Sequence, residues 1–344
     1  MGDIIPNFTV EYQFDVYLFV HLLLGLLIMF EKFGTLSYNN RIYFNLEDKM
    51  ASIMHYLDKL TNWWLYIKKA LGFKKQRGSI DVHKPEKPRD LVSVIILTHS
   101  RLDLLRQSIR YLFKTKKNKS FDYEIIVVDN ASVPKAQNEI REMLKGHPEV
   151  KIIRNEENLS YSYANDGGAK AARGNYYCFS NDDIMAKRRN WLIEMMSCMK
   201  RHEKAGVVGA KLLYPNRTIQ HAGVSFHKDG EPFHIYNAEL SGFKEANIEK
   251  KYQAVTFACV LVKRETYVAL NGMEKLGKKF EYYVEDFDFC LRAGELGWET
   301  WYCPKAELIH YSGSTSSSKL TEEATNKFMA RFISKWKDKV ITEL

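Results

Sequence analysis

The sequence predicts an α/β fold in which a mostly parallel, doubly wound, Rossmann-like sheet carries helices on both faces. From residue 91 onward, apolar β-branched runs alternate with segments whose apolar residues recur at helical spacing. This alternation is typical of parallel sheets, because a parallel connection needs a crossover helix. The 344 residues are 45% hydrophobic and 27% charged, a composition that is typical of globular proteins and excludes disordered and collagen-like classes.

The first 88 residues differ from the rest of the chain. Residues 16–30 form an apolar run that is shorter than the roughly 20 residues needed to cross a bilayer. Acidic residues precede this run and Lys32 and Arg41 follow it, so the charge bias places the rest of the chain in the cytoplasm if the run does span.

Residues 50–73 predict an amphipathic helix with tryptophans close to lysines. Such a helix suits a lipid headgroup interface; the alternative is a helix packed on the catalytic domain or on a partner subunit. We therefore expect residues 1–88 to be a helical, membrane-associated segment and linker on the cytoplasmic face of a membrane, either peripheral or single-pass.

Four strands separated by helices are predicted next. The strands cover residues 91–98, 123–128, 150–153 and 176–180, and the helices cover residues 102–112, 136–144 and 161–172. Polar residues follow at the carboxyl ends of all four strands, namely Thr98, Asp129, Asn155 and Asn181. Ligands of doubly wound sheets bind at this edge, so we expect a nucleotide pocket there. The sequence has neither a GxGxxG turn nor a GxxxxGKS/T loop to hold phosphates.

The stretch YYCFSNDDI, residues 176–184, places two adjacent acids directly after the fourth strand. Neighbouring carboxylates repel each other, and a divalent cation such as Mg²⁺ relieves this repulsion because it binds carboxylate and phosphate oxygens. We expect that cation at Asp183, where it would also neutralise the phosphates of a nucleotide. The alternative is a polar turn in which Asp183 caps the next helix.

The second half of the chain predicts helices over residues 191–201 and 264–270 and apolar runs over residues 206–213 and 255–262. Between them, residues 225–251 have an irregular pattern, which suits a loop region that binds an acceptor.

A second acidic cluster lies in YYVEDFDFCLR, residues 282–292, where Glu285, Asp286 and Asp288 precede an amphipathic helix. The helix dipole favours acids at this end, so capping accounts for one or two of them. Three acids exceed what a cap requires. A carboxylate here can act as a general base that takes the proton of an attacking sugar hydroxyl.

Charge and cysteine content exclude other classes. The formal net charge is +9, and the basic residues cluster in the N-terminal segment and linker without a nucleic-acid-binding motif, so we expect no nucleic-acid partner. The five cysteines include no CxxC pair, which excludes a disulfide scaffold or zinc knuckle and favours a reducing compartment.

Six motifs in order resemble the family 2 glycosyltransferases, particularly their rhamnosyltransferase-like subgroup. They are VSVIILTHSR, YEIIVVDNAS, VKIIRNEENLSYSYANDGGAKAARGNYYCFSNDD, VGAKLLYPNRTIQHAG, YYVEDFDFCLR and LIHYSGS. Each motif alone is only weak evidence for the family. Six of them in the same order over roughly residues 91–316 make a chance resemblance very improbable.

The resemblance implies a GT-A fold and an inverting transfer from a nucleoside diphosphate sugar, of the UDP or dTDP type, assisted by Mg²⁺ or Mn²⁺. Asp183 and His310 would bind the metal, Asp286 would be the catalytic base and Glu285 would support it. The nucleotide-sugar contacts would be Thr98, Asp129 on the nucleobase, Asn165, Arg173, Asn181 and Asp182, the last of these on the ribose.

The resemblance also implies a glycan or lipid-linked glycan acceptor, in the synthesis of cell-surface polysaccharide or glycoconjugate. We expect a glycosyltransferase domain over residues 89–317 and a C-terminal helix over residues 318–344 packed on it. In two places the family pattern is altered, because His99 replaces the usual tyrosine after the first strand and Asn181 replaces the first acid of the metal motif.

Two alternatives stay open. A sugar nucleotidylyltransferase needs a glycine-rich basic loop after the first strand, which THSRLD lacks. A catalytically degenerate domain that serves as a membrane scaffold is the other, and the presence of both acidic clusters argues against it.

Overall fold

The computed structural model describes residues 89–115, 120–147, 149–275, 284–311 and 322–342. All of them belong to one compact unit, His83–Leu344. No helix in these ranges is long and apolar enough to cross a membrane. The N-terminal segment expected to contact a membrane lies outside the described residues.

Strands and helices alternate through the first half of the described chain, as the sequence predicts. The strands are β1 (Asp90–Thr98), β2 (Phe121–Asn130), β3 (Val150–Asn155), β4 (Tyr176–Asn181), β5 (Ile184–Ala186), β6 (Ala205–Leu213), β7 (Ile219–His221), β8 (Val224–Phe226), β9 (Pro232–His234), β10 (Lys250–Tyr252), β11 (Cys259–Lys263) and β12 (Glu299–His310). The helices are α1 (Leu102–Phe113), α2 (Pro134–Leu144), α3 (Tyr161–Ala171), α4 (Trp191–Arg201), α5 (Arg264–Ala269), α6 (Glu285–Glu295) and α7 (Glu322–Trp336), with a short 3-10 helix over Glu245–Asn247.

Ten strands of the described chain form one mixed sheet in the order β10-β12-β6-β11-β4-β1-β2-β3, with β5 paired to β12 and β7 to β6. The first four strands are parallel, with Thr98 opposite Asp129 and Leu97 opposite Asn181. Strand β11 is antiparallel to both β4 and β6, so the sheet is mixed and only partly parallel. The polar residues that end β1, β2 and β4 therefore lie at one edge.

The two faces of the sheet carry separate hydrophobic cores. Along β1, Val94 and Ile96 face one core while Ile95 and Leu97 face the other, the period of two that a strand buried on both faces requires. Helices α1, α2 and α4 cover the first core, and α3, α5, α6 and α7 cover the second. This arrangement confirms the predicted α/β sheet with helices on both faces.

Helix α3 approaches the sheet closely because Gly168 faces it. A Cβ atom at this position would lie 2.5 Å from Ile95 Cγ2 and 3.0 Å from Val128 Cγ2, shorter than carbon atoms tolerate. The neighbouring Gly167 would meet nothing within 4 Å. One glycine of the pair thus sets the distance between helix and sheet.

The C-terminal helix α7 is held to α6 by polar and apolar contacts. Asp288 Oδ1 accepts hydrogen bonds from Lys335 Nζ at 2.6 Å and from Trp336 Nε1 at 3.0 Å, and Arg292 binds its other oxygen. Phe332 and Trp336 are buried in the second core. Asp288, which the sequence placed with the candidate bases, therefore anchors a helix.

Residues 225–251, expected to be an irregular acceptor loop, contain ordered structure. Strand β9 pairs with β8, and a third hydrophobic cluster includes Ile235, Ala246 and Tyr252. Most of the segment is turns and irregular backbone, as predicted, and the short elements within it pack on a small core; a role in binding an acceptor stays a prediction.

Candidate active site

The two adjacent acids lie in the turn between β4 and β5, where both are almost completely buried. The Thr98 hydroxyl donates to Asp182 Oδ2 at 2.7 Å. Arg101 reaches both carboxylates, with its nitrogens 3.3 Å from Asp182 Oδ1 and 3.2 Å from Asp183 Oδ2. The next described helix begins at Trp191, preceded by Asn190, so the alternative that Asp183 caps it is wrong.

Strand pairing brings His310 to these acids. Strand β12 runs antiparallel to β5, and His310 lies opposite Ile184. His310 Nε2 is 3.1 Å from Asp183 Oδ1, a buried oxygen that receives no well-oriented hydrogen bond from the described residues. On the other side of the ring, His310 Nδ1 lies 2.7 Å from Gln220 Oε1, and Asn181 Nδ2 lies 3.4 Å from Nε2.

The contact with Gln220 fixes the tautomer of His310. A carbonyl oxygen accepts, so Nδ1 carries the proton and the Nε2 of a neutral ring has a free electron pair. A protonated ring would donate from Nε2 to Asp183 Oδ1, whereas a neutral ring turns its Nε2 electron pair toward this oxygen, which has electron pairs of its own. Two such donors at 3.1 Å are disfavoured alone, but they match two ligands of one cation, which lie about 3 Å apart when bonds of about 2.1 Å meet at a right angle.

The neighbouring acids have different proton affinities. Burial raises the pKa of Asp182 to about 6, and nearby Asp183 adds to this effect, although Arg101 and Thr98 oppose it. Burial also acts on Asp183, but His310 and Arg101 outweigh it and hold the pKa of Asp183 below its usual range. Asp183 is thus ionised at neutral pH, as a metal ligand must be.

Asp129 ends β2 with both of its oxygens engaged. Arg154 NH1 donates to Asp129 Oδ2 at 2.5 Å, and the Ser132 amide donates to Oδ1 at 2.9 Å. The backbone turns sharply after β1 and β2, since Ser100 and Ala131 have φ values of 56° and 60°. Such left-handed non-glycine residues store strain and are frequent at functional sites.

Asp286 lies in the first turn of α6, next to the segment that joins the sheet edge to β11. Its carboxylate accepts the amides of Phe257 at 3.3 Å and Phe287 at 2.9 Å. The carbonyl oxygen of Ala258, the residue after Phe257, accepts a hydrogen bond from the Asn181 amide at 2.9 Å. Asp286 and the end of β4 thus contact adjacent residues of one short segment.

The carboxylate of Asp286 holds protons tightly. Burial raises its pKa to about 8 and the charge of Glu285 adds to the shift, while hydrogen bonds from Phe287, Phe257 and Thr256 oppose it. Glu285 is half-buried beside it and accepts the amide of Val284 at 3.1 Å. A carboxylate with a raised pKa is suited to proton transfer near neutral pH.

Of two further expected nucleotide contacts, Arg173 lies elsewhere and Asn165 is buried in a helix. Arg173 pairs with Glu124 at 2.9 Å, next to Asn175, whose amide donates to Leu91 at the start of β1. Arg173 is therefore at the amino-terminal edge of the sheet, opposite the acids, and the expectation that it contacts the nucleotide is corrected. Asn165 is buried in α3, where its Nδ2 donates to Tyr161 O at 3.1 Å and its Oδ1 has no hydrogen-bond partner among the described residues.

Three residues of the site were missed by sequence reasoning: Arg101, Arg154 and Gln220. Arg101 directly precedes α1, and its position a few residues after a strand end was the available signal. Arg154 lies near the carboxyl end of β3, and a polar residue at a strand end was the same signal that selected Thr98 and Asp129. Gln220 stands in β7 with no local sign that it contacts His310.

Solved glycosyltransferases share this fold. A structure of GalNAc-T7 with UDP, GalNAc and Mn²⁺ aligns with a TM-score of 0.58 at 15% identity, covering 74% of this chain and 49% of that one. The mannosyltransferase PcManGT from Pyrobaculum calidifontis, in complex with GDP-Man and Mn²⁺, aligns with a TM-score of 0.50 at 14% identity, covering 77% and 68%. Both identities are low, so the likeness concerns the GT-A fold.

Sequence relatives cover most of the chain. It is 32% identical over 249 residues to the uncharacterized protein y4gI of Sinorhizobium fredii, which includes 71% of this chain and 27% of that protein. The O-antigen biosynthesis protein RfbC of Myxococcus xanthus is 27% identical over 248 residues, 71% of this chain and 19% of RfbC. The chain thus spans about a quarter or less of the length of these two relatives.

A shorter match is the N-acetylglucosaminyl-diphospho-decaprenol L-rhamnosyltransferase of Mycobacterium tuberculosis, 22% identical over 133 residues, 36% of this chain and 42% of that protein. Residues 93–263, which contain β1, β2, β4 and the two acids, match the family described as Glycosyl transferase family 2. Through this match, the chain belongs to glycosyl transferase family 2.

Proposed function

We propose that this chain is an inverting, metal-dependent glycosyltransferase that moves a sugar from a nucleoside diphosphate sugar, of the UDP or dTDP type, to a hydroxyl of a glycan or lipid-linked glycan. The observation that carries the proposal is the pair Asp183 Oδ1 and His310 Nε2, two electron-pair donors 3.1 Å apart at the ligand-binding edge of the sheet. The solved neighbours, whose structures contain Mn²⁺ with UDP or GDP-Man, support it.

Asp183 and His310 hold the metal in this proposal, and Gln220 orients the imidazole. Carboxylate oxygen and imidazole nitrogen suit either Mg²⁺ or Mn²⁺, with Mn²⁺ the better acceptor of the nitrogen. When bound, the metal acts as a Lewis acid that neutralises the diphosphate leaving group. The Arg101 guanidinium contacts the carboxylates of Asp182 and Asp183 and supplies a second positive charge.

The donor binds along the edge formed by β1, β2 and β4. Asp129 accepts from the nucleobase, Asp182 contacts the ribose, and Thr98 holds Asp182 in place through its 2.7 Å hydrogen bond. Asn181 contributes beside the metal ligands, and Asn165 contributes its amide oxygen, which accepts no hydrogen bond from the part of the chain that the structure describes.

The transfer is a single displacement. The acceptor oxygen forms a bond to the anomeric carbon, while the bond from that carbon to the diphosphate breaks and its electron pair leaves with the diphosphate. Asp286 takes the proton of the acceptor hydroxyl, and its burial, assisted by the charge of Glu285, raises its pKa so that it can do so. One displacement inverts the anomeric configuration.

The acceptor and the location belong to the same proposal. Relatives carry the names O-antigen biosynthesis protein and N-acetylglucosaminyl-diphospho-decaprenol L-rhamnosyltransferase, which supports a glycan or lipid-linked glycan acceptor. An acceptor on a lipid also fits an N-terminal segment at the cytoplasmic face of a membrane.

Donor turnover tests the proposal. Full-length protein is incubated with a panel of nucleoside diphosphate sugars, with Mn²⁺, Mg²⁺ or a chelator, and release of nucleoside diphosphate is measured. We expect metal-dependent release from one donor, lost in Asp183→Ala and reduced by a factor of about 10² to 10⁴ in Asp286→Asn. Asp229→Asn, an exposed position in the turn between β8 and β9 whose side chain accepts the Glu231 amide, is the control and should behave as wild type.

Two results would refute specific parts. Normal turnover in Asp286→Asn removes this residue as the base, and turnover unaffected by chelation removes the metal. Formation of a sugar nucleotide from a nucleoside triphosphate and a sugar 1-phosphate would identify a nucleotidylyltransferase. Donor binding without turnover with any acceptor would favour the degenerate scaffold.

A further inference from the structure

A second group of metal-ligating side chains lies outside the candidate active site. Ligand atoms of Cys198, Cys303 and Glu249 all lie within 4.8 Å of one another. Cys198 is in α4, Cys303 is in β12 and Glu249 immediately precedes β10, so the group joins three elements. Both cysteines are fully buried, whereas Glu249 is half-buried at the rim.

His202, at the end of α4, lies beside this group and contacts its carboxylate. It follows Cys198 by four residues, a spacing that places two side chains on one face of a helix. Its Nε2 lies 2.9 Å from Glu249 Oε1. The ring stacks on Trp301, two residues before Cys303, with centroids 3.3 Å apart. Helix, strand and loop thus direct two sulfurs and one carboxylate oxygen to the same place, and the His202 nitrogen lies against that carboxylate.

The charges around this group balance for a divalent ion. Two thiolates and the Glu249 carboxylate contribute three negative charges, and Arg201 contributes one positive charge through its paired contact with the same carboxylate. A divalent cation brings the sum to zero with a neutral His202. A buried site is stable only when its charges are compensated in this way.

We propose that Cys198, Glu249 and Cys303 bind a structural zinc ion and that His202 turns from its contact with Glu249 to become the fourth ligand. Two sulfurs with one imidazole and one carboxylate suit zinc in both ligand type and number. Binding forms two zinc–sulfur bonds and releases the two thiol protons to solvent. The site is closed by four protein ligands and is separate from the proposed glycosyltransferase activity, so it serves to join α4, β12 and the segment before β10.

The other close thiol pair, Cys178 and Cys259, lies on the neighbouring strands β4 and β11 and is fully buried. No carboxylate or imidazole ligand groups with that pair among the described residues, so it is a matched control.

Metal content of the full-length protein tests the proposal. Protein made in zinc-containing medium and purified without a histidine tag is measured by mass spectrometry of its metals. We expect one zinc per chain in the wild type and in Asp183→Ala, which excludes the candidate active site as its source. Cys198→Ser and Cys303→Ser should lose zinc, while the control Cys178→Ala should keep it.

Two further measurements do not depend on the folding of the cysteine variants. Wild-type protein loaded with Co²⁺ should show thiolate-to-cobalt charge transfer and the visible bands of a tetrahedral site. Arg201→Ala, at the partly exposed rim, should weaken zinc affinity about 10- to 100-fold by releasing Glu249.

Zinc content in the wild type equal to that of Cys198→Ser, or a cobalt spectrum without sulfur charge transfer, would overturn the proposal. Recovery of the pair as a Cys198–Cys303 disulfide from protein kept under reducing conditions would also overturn it. Loss of zinc in Asp183→Ala with retention in both cysteine variants would assign the ion to the other site.

Discussion

At the scale of single residues, the environment gives neighbouring acids different roles. Asp182 and Asp183 are adjacent in the chain, yet the first is held by Thr98 and the second faces His310. Burial raises the pKa of Asp182 despite the hydrogen bond from Thr98, whereas His310 and Arg101 outweigh burial at Asp183 and lower its pKa. A pair of identical side chains can therefore supply one donor contact and one metal ligand.

The pKa of Asp286 predicts the pH dependence of activity. A base must be unprotonated to accept a proton, and its pKa of about 8 leaves only a minor fraction ionised at pH 7. We expect kcat/KM to rise about tenfold per pH unit below pH 8 and to level off above it. A profile that is flat from pH 6 to 9, measured with saturating metal, would contradict this assignment.

Gln220 predicts how firmly the metal is held. Replacing Gln220 by Leu removes the acceptor for the His310 Nδ1 proton, so the ring loses its fixed tautomer and orientation. We expect Mn²⁺ affinity to fall about 10- to 100-fold, measured by the metal dependence of thermal stabilisation. Gln107→Leu, on the exposed face of α1, should leave this affinity unchanged; an equal loss there would show a general effect on stability.

At the scale of elements, the edge of the sheet is assembled by strand order. Strands β1, β2 and β4 bring Thr98, Asp129 and Asp182 together through parallel register, whereas β12 adds His310 from the far end of the chain through its pairing with β5. The helix α3 approaches this sheet most closely at Gly168, which makes helix packing sensitive to a single methyl group.

Two glycines of α3 predict opposite effects on stability. Gly168→Ala places a methyl group 2.5 Å from Ile95 Cγ2, so overpacking should lower the free energy of unfolding by about 1–3 kcal/mol. Gly167→Ala meets nothing within 4 Å and should raise that free energy by about 0.5–1 kcal/mol, because alanine loses less entropy in a helix. Denaturant unfolding of both variants checks the difference, and equal effects would mean that α3 does not pack as described.

At the scale of the whole molecule, the compact unit His83–Leu344 contains the sheet, its two cores and the candidate active site. A chain that begins at His83 should therefore unfold in one cooperative transition and should bind a nucleoside diphosphate as the full-length chain does. Thermal unfolding followed by near-ultraviolet circular dichroism measures this. Broad, non-cooperative unfolding would show that the first 82 residues are needed for the core.

The same shortened chain tests the membrane proposal. Full-length protein should sediment with vesicles that contain anionic lipid, because tryptophans and lysines of residues 50–73 favour such a surface. The chain that begins at His83 should stay in the supernatant. If both remain soluble, the N-terminal segment does not bind this surface.

The sequence by itself determined the order and type of the first elements and the position of the acids. Buried strands such as β4 are apolar throughout and end in polar residues, a pattern that is local and therefore readable. The sequence did not distinguish Arg154 from Arg173, because each arginine lies near the end of a strand. In the structure the two arginines lie at opposite edges of the sheet.

Only the tertiary structure decided which distant residues meet. His310 reaches Asp183 across 127 positions of the chain, Gln220 reaches His310 across 90, and Cys198 reaches Cys303 across 105. No local pattern records such distances: the absence of a CxxC pair excluded a zinc knuckle, yet strand pairing and helix packing brought two separate cysteines together. Periodicity reports which face of an element is buried, whereas sheet order, set by the packing of all elements at once, determines what that face contacts.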